Sequence, residues 1–166
     1  MINKLKNYKL AEHGEYLNNK YPKDFFSFVL DIGSRGIKHT WHIHKMAEFS
    51  PNTRFIGFEP DIPYAEEIKN LAKQLGLSNV SISTDAFGKK DIITPQGVSK
   101  SIDLIEIFKK YELDKNKAWH FKCDAEGAEH YLLECKESVE ILKTSSHISF
   151  ELHHDVCVNY NFFINE

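Results

Sequence analysis

The stretch FKCDAEGAEH, residues 121–130, decides how the rest of the chain is interpreted. Its first three residues are compatible with a β-strand, and they lead directly into three acids, Asp124, Glu126 and Glu129. The two residues between the last two acids are Gly127 and Ala128, so this interval contains a single glycine. Several carboxylates at the end of one strand make this position the first candidate for a functional site.

The composition predicts one domain with no strong preference for a charged polymer. The chain has 166 residues, of which 42% are hydrophobic and 13% are aromatic, and this is enough for one ordinary core. Lys and Arg number 21 against 24 Asp and Glu, which gives a formal charge of −3. This balance provides no overall attraction to nucleic acid or anionic lipid, so we expect neither as a partner.

The cysteines and the N-terminal sequence predict a reduced, cytoplasmic protein. Cys123, Cys135 and Cys157 are widely spaced, odd in number and form no CxxC pair. This pattern argues against a disulfide framework and against a thiolate zinc site, so we expect reduced and mostly buried thiols. The N-terminal residues contain no apolar run long enough for a signal peptide, and no segment approaches a membrane span.

Short segments typical of strands alternate with longer segments of helical period. This alternation predicts an α/β, Rossmann-like fold with a mainly parallel sheet and helices on both faces. The predicted strands are residues 25–33, 54–60, 79–88, 118–127 and 147–154, and the predicted helices are 63–76, 101–112, 128–142 and, with a weaker pattern, 36–49. Within one domain, 1–166, the predicted parts are an N-terminal helix (1–22), the core (25–154), a long loop with a small hairpin (88–100) and a tail (155–166).

Four of the predicted strands end in polar clusters. These clusters are DIGSRG (31–36), EPD (59–61), TDA (84–86) and DAEG (124–127). In an open parallel sheet the carboxyl ends of the strands share one edge, and ligands bind in the crevice at that edge. We therefore expect Asp31, Glu59, Asp85 and Asp124 to face a common pocket.

The first two clusters suit a nucleoside that carries positive charge. Glycines directly after a strand let the backbone approach a ligand, and Glu59 at the end of the second strand can accept both hydroxyls of a ribose. The dinucleotide fingerprint GxGxxG is absent, and Asp31 lies two residues before Gly33. A carboxylate at that point opposes a pyrophosphate but suits an ammonium or a sulfonium group. S-adenosylmethionine (SAM) contains both of these cations.

The order of the motifs resembles that of class I SAM-dependent methyltransferases of the FkbM family, over residues 28–154. VLDIGSRGIKHT (29–40) resembles the first loop of the family, FIGFEPD (55–61) its ribose-binding strand end, and DAFG (85–88) the turn that closes over adenine. FKCDAEGAE (121–129) resembles the most specific motif of the family. The resemblance implies a methyltransferase domain whose cofactor is SAM.

The resemblance also assigns parts of the cofactor to individual residues. Asp31 and Gly33 hold the methionine part, Glu59 the ribose, and Asp85 with Ala86 the edge of the adenine. Asp124 lies near the amino group and the reactive methyl. The full predicted cofactor-binding set is Asp31, Gly33, Ser34, Arg35, Gly36, Glu59, Pro60, Asp85, Ala86 and Asp124. Arg35 either caps a carboxylate of the ligand or pairs with Asp61, and the sequence leaves both roles open.

The predicted reaction is a direct displacement, in which an acceptor oxygen attacks the methyl group in line. The protein contributes mainly positioning and desolvation. The predicted catalytic set is Asp124, Glu126, His153 and His154, and one of the last three takes the hydroxyl proton. Alternation along a strand places only one of the two histidines on the pocket side. A divalent cation held by Asp, Glu and His side chains is the alternative way to acidify the hydroxyl.

No resident metal is predicted elsewhere in the chain. His39 and His42 can share one face of a helix, but His44 points in another direction, and there is no HExxH motif. We expect these three side chains to be exposed or half-buried histidines of a helix.

The chain departs from the family pattern in two places. The second glycine of the family's first loop falls where this chain has Ile37, so Gly36 takes that role. The chain stops twelve residues after His154, which is room for at most one more strand. We therefore expect truncated C-terminal antiparallel strands and an edge position for the last full strand. Either a homodimer or a minimal form with an open acceptor site is predicted.

Two functions from different classes follow. By the resemblance, the first is O-methylation of a hydroxyl on a sugar or another small metabolite. The second is a catalytically silent SAM-binding module or subunit that lacks a complete substrate wall, an alternative that the short C-terminus favours. A nicotinamide oxidoreductase is disfavoured because the dinucleotide fingerprint is missing.

Overall fold

A computed structural model describes residues 20–34, 41–125 and 128–150. The strands are β1 (Phe28–Ile32), β2 (Arg54–Phe58), β3 (Val80–Ser83), β4 (Ala86–Phe87), β5 (Ile92–Thr94), β6 (Gly97–Ser99), β7 (Ser101–Ile102), β8 (Trp119–Cys123) and β9 (His147–Phe150). The helices are α1 (Trp41–Phe49), α2 (Ile62–Gln74), α3 (Leu104–Lys110), α4 (Ala128–Glu134) and α5 (Lys136–Leu142).

Five strands form one parallel sheet in the order β3-β2-β1-β8-β9. The chain builds outward from β1 to β3 and then crosses back, so that β8 lies on the other side of β1. In such a sheet a crevice opens outside the carboxyl ends of the two strands where the order reverses, here β1 and β8. The parallel α/β fold predicted from the sequence is therefore confirmed.

Helices cover both faces of the sheet, because the central strands are apolar on both sides. On one face, Leu30 of β1 and Phe121 of β8 pack with residues of α3, α4 and α5. On the other face, Val29 of β1 and Phe55 of β2 pack with Met46 of α1. Both cores use fully buried side chains, so the sheet is a fixed platform for the groups at its carboxyl edge.

Two predicted elements are divided in the structure. The single helix predicted over 128–142 is two helices, because the backbone is extended at Cys135, with φ −99° and ψ 98°. The break lets Leu132 in the first helix and Leu142 in the second both reach the core. The strand predicted over 79–88 is likewise divided, since β3 ends and β4 then pairs with β7 outside the main sheet. The hairpin predicted within the loop at 88–100 is confirmed as β5 and β6.

The predictions for the two ends of the chain lie outside the described residues. This applies to the N-terminal helix (1–22) except for its last residues, to the tail (155–166) and to residues 151–154 of the last strand. Among the strands that the structure describes, β9 is at an edge of the sheet. Within the described ranges, no helix has the length and apolar character needed to cross a membrane.

Gly33 fixes the turn that follows β1. Its φ is +77°, a conformation that L side chains rarely adopt. A Cβ atom added here would lie 1.9 Å from the carbonyl oxygen of Asp124. The backbone N–H groups of Gly33 and Ser34 donate to the carbonyl of Phe58, at 3.0 and 3.1 Å. The turn therefore lies in contact with the ends of both β2 and β8, and a side chain has no room there.

We expect Gly33→Ala to destabilise the protein by about 2–5 kcal/mol, because it combines an unfavourable backbone conformation with a steric overlap. Gly76→Ala is the matched control: Gly76 has a similar φ of +70°, but no atom lies within 4 Å of its added Cβ. The control substitution should lower the free energy of unfolding by only about 1–2 kcal/mol. Urea denaturation of both variants measures the difference, and equal losses would contradict the close contact with Asp124.

Candidate functional site

A cavity of about 680 Å³ opens at the carboxyl edge of the sheet. The ends of β1 and β2 form one wall of it, and β4 with the following loop and α4 form two others. The lining residues are Ile32, Gly33, Phe58, Pro60, Ala86, Phe87, Gly88, Lys89, Lys90, Ile92, Ala125, His130, Tyr131, Glu134 and Cys135. Its volume lies within the range of about 300–1,000 Å³ that is usual for small-molecule sites.

A buried lysine joins two of the predicted acids beside this cavity. The ammonium of Lys122 lies 3.0 Å from Oδ1 of Asp31 and 3.5 Å from Oδ2 of Asp124. It also donates to the carbonyl oxygen of Gly33 at 3.3 Å. Asp31 and Lys122 occupy paired positions on β1 and β8, and this register brings their side chains together on one face of the sheet. The lysine thus connects the turn after β1 to the end of β8.

The protonation of Lys122 is set by these neighbours. Its side chain is only 7% exposed, and burial alone disfavours the charged form. Attraction to Asp31 and then to Asp124 outweighs this effect, so that the pKa of Lys122 is raised above its ordinary value. Lys122 is therefore positively charged at neutral pH. The three side chains together carry one net negative charge, when both carboxyls are ionised.

The second oxygen of Asp31 is held by Ser34. The Ser34 hydroxyl lies 2.6 Å from Oδ2 of Asp31 and 3.0 Å from its backbone carbonyl. Gly57 of β2 leaves space for Ser34, because a Cβ atom added at Gly57 would lie 2.5 Å from the Ser34 Oγ. Asp31 is 1% exposed and lies between two partners. Both oxygens of its carboxylate are therefore held, one by Lys122 and the other by Ser34.

Glu59 and Pro60 follow β2 at the same edge. Pro60 lines the cavity, whereas Glu59 is 5% exposed. One Glu59 carboxylate oxygen accepts from the backbone N–H of Asp61 at 2.9 Å. This bond turns the acid toward the start of α2, where it satisfies a donor of the helix N-terminus.

Asp85 and Ala86 point in different directions. Ala86 lines the cavity. The Asp85 carboxylate instead contacts the Lys110 ammonium of α3 at 2.6 Å and the Ser83 hydroxyl at 2.7 Å. Burial alone would raise the pKa of Asp85, but these two bonds lower it below its ordinary value. Asp85 lines a separate hollow of about 270 Å³ together with Lys110.

The structure thus brings together part of the predicted site. Gly33, Pro60 and Ala86 line the cavity. Asp31 contacts Ser34 and is joined to Asp124 through Lys122. None of these four residues lines the cavity. The predicted residues Arg35, Gly36, Glu126, His153 and His154 lie outside the described ranges.

The wall formed by α4 contains polar groups that the sequence prediction did not assign. Burial raises the pKa of Tyr131 well above its ordinary value, and a bond with Cys135 adds to the effect. Burial also acts to raise the pKa of Cys135, but hydrogen bonds with Ser138 and Tyr131 outweigh it, so the pKa is lowered. Cys123 and Cys135 are buried, as expected from the sequence, and Cys157 lies outside the described residues.

Of the histidines expected to be exposed or half-buried on the helix predicted over 36–49 (His39, His42 and His44), His44 is the one whose side chain is described. His44 is 3% exposed, so it is buried, and not exposed or half-buried as the helical pattern predicted. In the part of the chain that the structure describes, no three His, Cys, Asp or Glu side chains are grouped so that they could hold a metal ion.

Lys122 is the site residue that the sequence prediction missed. It lies within WHFKC, where a lysine between Phe121 and Cys123 interrupts an apolar strand. A lysine inside a strand that is buried along its whole length requires a charged partner, since such a group is almost never fully buried alone. That interruption was the available signal.

The fold matches a solved methyltransferase structure. The FkbM methyltransferase from Methylobacillus flagellatus KT is 16% identical, with a TM-score of 0.54 over 76% of this chain and 33% of that one. The chain has a methyltransferase fold. The FkbM resemblance inferred from the sequence is thus confirmed for the fold, and this chain spans about a third of the length of that structure.

A second solved structure aligns less well. It is the precorrin-6y C5,15-methyltransferase from Geobacter metallireducens GS-15, which is 15% identical, with a TM-score of 0.46 over 78% of this chain and 56% of that one. A TM-score below 0.5 is too low to add to the fold assignment. No family model matches the chain, and no curated protein sequence matches it.

We expect Lys122→Met to cost about 3–5 kcal/mol of unfolding free energy, because it leaves Asp31 charged and buried without its main partner. The matched control is Lys110→Met, since Lys110 also pairs with an aspartate but its side chain is 49% exposed. That change should cost less than about 1 kcal/mol. Adding Asp31→Asn to Lys122→Met should recover part of the loss. Urea denaturation measures the unfolding free energy of all three variants. Similar losses of unfolding free energy for Lys122→Met and Lys110→Met would contradict a buried ion pair at Lys122.

The raised pKa of Lys122 also predicts a loss of stability at alkaline pH. The pKa of Lys122 is higher in the folded protein than in the unfolded chain, where it is near 10.5. The stability that this difference contributes is complete below the unfolded pKa. It disappears as the pH rises through the folded pKa. We expect the wild type to lose more stability above pH 10.5 than the Asp31→Asn/Lys122→Met double variant does. Urea denaturation from pH 8 to pH 11 compares the slopes, and parallel curves would show that the pair does not stabilise the fold.

Proposed function

We propose that this protein is a SAM-dependent methyltransferase that acts on a hydroxyl group of a sugar or another small metabolite. The observation that carries the proposal is the cavity at the carboxyl ends of β1 and β2, together with a cluster of two carboxyl groups and one ammonium at the ends of β1 and β8. Asp31, Lys122 and Asp124 form this cluster. A methyltransferase fold makes SAM the cofactor of choice for such a site.

The charge and shape of the site fit SAM. The net negative charge of the cluster suits a ligand with a sulfonium and an ammonium group, whereas it opposes the pyrophosphate of a dinucleotide. The turn at Gly33 brings backbone to the cavity wall with no side chain in the way. The volume of about 680 Å³ is sufficient for a ligand of drug size.

Different acids have different roles in this proposal. The Asp124 side chain is 30% exposed, so it can reach the amino group of the ligand, whereas Asp31 is 1% exposed and acts through Lys122. Gly33 and Pro60 border the methionine and ribose parts, with Glu59 as the ribose acceptor after its loop adjusts. Ala86 borders the adenine. Asp85 fixes the turn before Ala86 through its ion pair with Lys110.

When bound, SAM supplies a methyl group attached to a positively charged sulfur. The protein positions an acceptor hydroxyl against that group and excludes water from the cavity. A hydroxyl becomes a strong nucleophile only as it loses its proton, so a base is required. Glu126, His153 and His154 remain the proposed bases.

We expect S-adenosylhomocysteine to raise the melting temperature by several degrees, since a ligand at 100 times its Kd stabilises a protein by about 2.7 kcal/mol. NAD should have no such effect. Asp124→Asn should greatly reduce the shift while the protein stays folded, because Lys122 keeps Asp31 as a partner. The matched control is Asp114→Asn, in the turn before β8 at the opposite edge of the sheet, and it should leave the shift unchanged.

Transfer of a labelled methyl group from SAM to hydroxylated acceptors tests the catalytic part of the proposal. Stabilisation by S-adenosylhomocysteine without any transfer would instead support a silent binding module. Stabilisation by NAD alone would overturn the proposed cofactor.

A further inference from the structure

The charged residues that line the cavity do not come from the ends of β1 and β2. Among the described lining residues, the side chains with formal charge are Lys89, Lys90 and Glu134. The two lysines follow β4 and Gly88, and Glu134 lies on α4. The described wall at the ends of β1 and β2 consists of apolar residues, glycine and proline. The cavity therefore has one polar side, formed by the loop after β4 and by α4.

The lysines of this side differ from others near the same edge of the sheet. Lys100 pairs with Asp91 at 2.7 Å, Lys110 with Asp85 at 2.6 Å, and Lys122 with Asp31 at 3.0 Å. Lys90 makes no ion pair or hydrogen bond within the ranges that the structure describes. It is an exposed ammonium at the border of a cavity, available to an anion.

Lys89 extends this positive region toward α4. Its ammonium lies 5.7 Å from the centroid of the Tyr131 ring, within cation–π distance, and Tyr131 also lines the cavity. Gly88 has a φ of +144°, so the chain bends directly before the two lysines, and both of them border the cavity. Glu134 offsets one of the two charges. The lining side chains of this polar side therefore keep one net positive charge, and Lys89 also interacts with the carboxylate of Glu137, which does not line the cavity.

We propose that the acceptor carries an anionic group, a carboxylate or a phosphate, which Lys89 and Lys90 bind while the acceptor hydroxyl faces the strand ends. The inference rests on the proposed function, because it divides the cavity between cofactor and acceptor. Lysine binds such anions as a point charge on a flexible stem, which requires no fixed geometry. A neutral sugar can accept hydrogen bonds from the two ammonium groups but lacks the charge attraction that an anion adds.

The test is calorimetric binding of three probes, namely glucose, glucuronate and glucose 6-phosphate, to the protein with and without saturating S-adenosylhomocysteine. We expect at least one of the two anions to bind about tenfold more tightly than glucose, and the stronger one identifies the anionic group. Lys89→Met/Lys90→Met should remove this preference. Lys73→Met, an exposed lysine in the last turn of α2, is the matched control and should retain it.

Each outcome separates the two proposals. If neither anion binds more tightly than glucose, or if the double variant retains the preference, the anionic acceptor is wrong. Raising the salt concentration should weaken binding of the anions but not of glucose, and the opposite result would also overturn it. Binding of S-adenosylhomocysteine should be the same in wild type and double variant. If that ligand fails to bind the wild type while anions bind through Lys89 and Lys90, the proposed cofactor fails and the anion site stands.

Discussion

The attraction of Lys122 to Asp31 and Asp124 is the interaction on which the site depends. Two carboxylates at neighbouring strand ends would repel each other, and a buried one would take up a proton. The ammonium between them offsets this repulsion and links them to the carbonyl of Gly33. A buried ion pair is not necessarily more stable than apolar packing, but loss of one member is costly. The cluster therefore maintains one charge arrangement at the edge of the sheet.

Small residues make this arrangement possible. Gly57 leaves space for Ser34, which binds the second oxygen of Asp31, and Gly33 lets the turn lie against Asp124. The charges, the turn and the end of β8 thus form one packed unit. The cavity borders this unit, and its other walls come from β4 and α4. The cofactor site that we propose lies next to the packed unit, and the acceptor site that we propose lies at the more exposed Lys89 and Lys90.

Much of the fold could be predicted from the sequence, because apolar strands with glycine or acidic ends are recognisable locally. The division of the helix at Cys135 could not, since it depends on how Leu132 and Leu142 both reach the core. The direction of Asp85 was equally inaccessible, because its partner Lys110 lies on a helix far along the chain. The sequence does indicate a buried charge at Lys122, because this lysine interrupts an apolar strand. Its partner Asp31 is identified only by the register of β8 with β1.

The contact between Gly33 and the Asp124 carbonyl links two loops that are distant in sequence. Residue 33 cannot gain a side chain unless the backbone at Asp124 moves. Adaptation of this domain to a new substrate is therefore constrained to the surfaces that do not take part in that contact. The segment after β4 and the exposed side of α4 are free to diverge, while the two loops must change together.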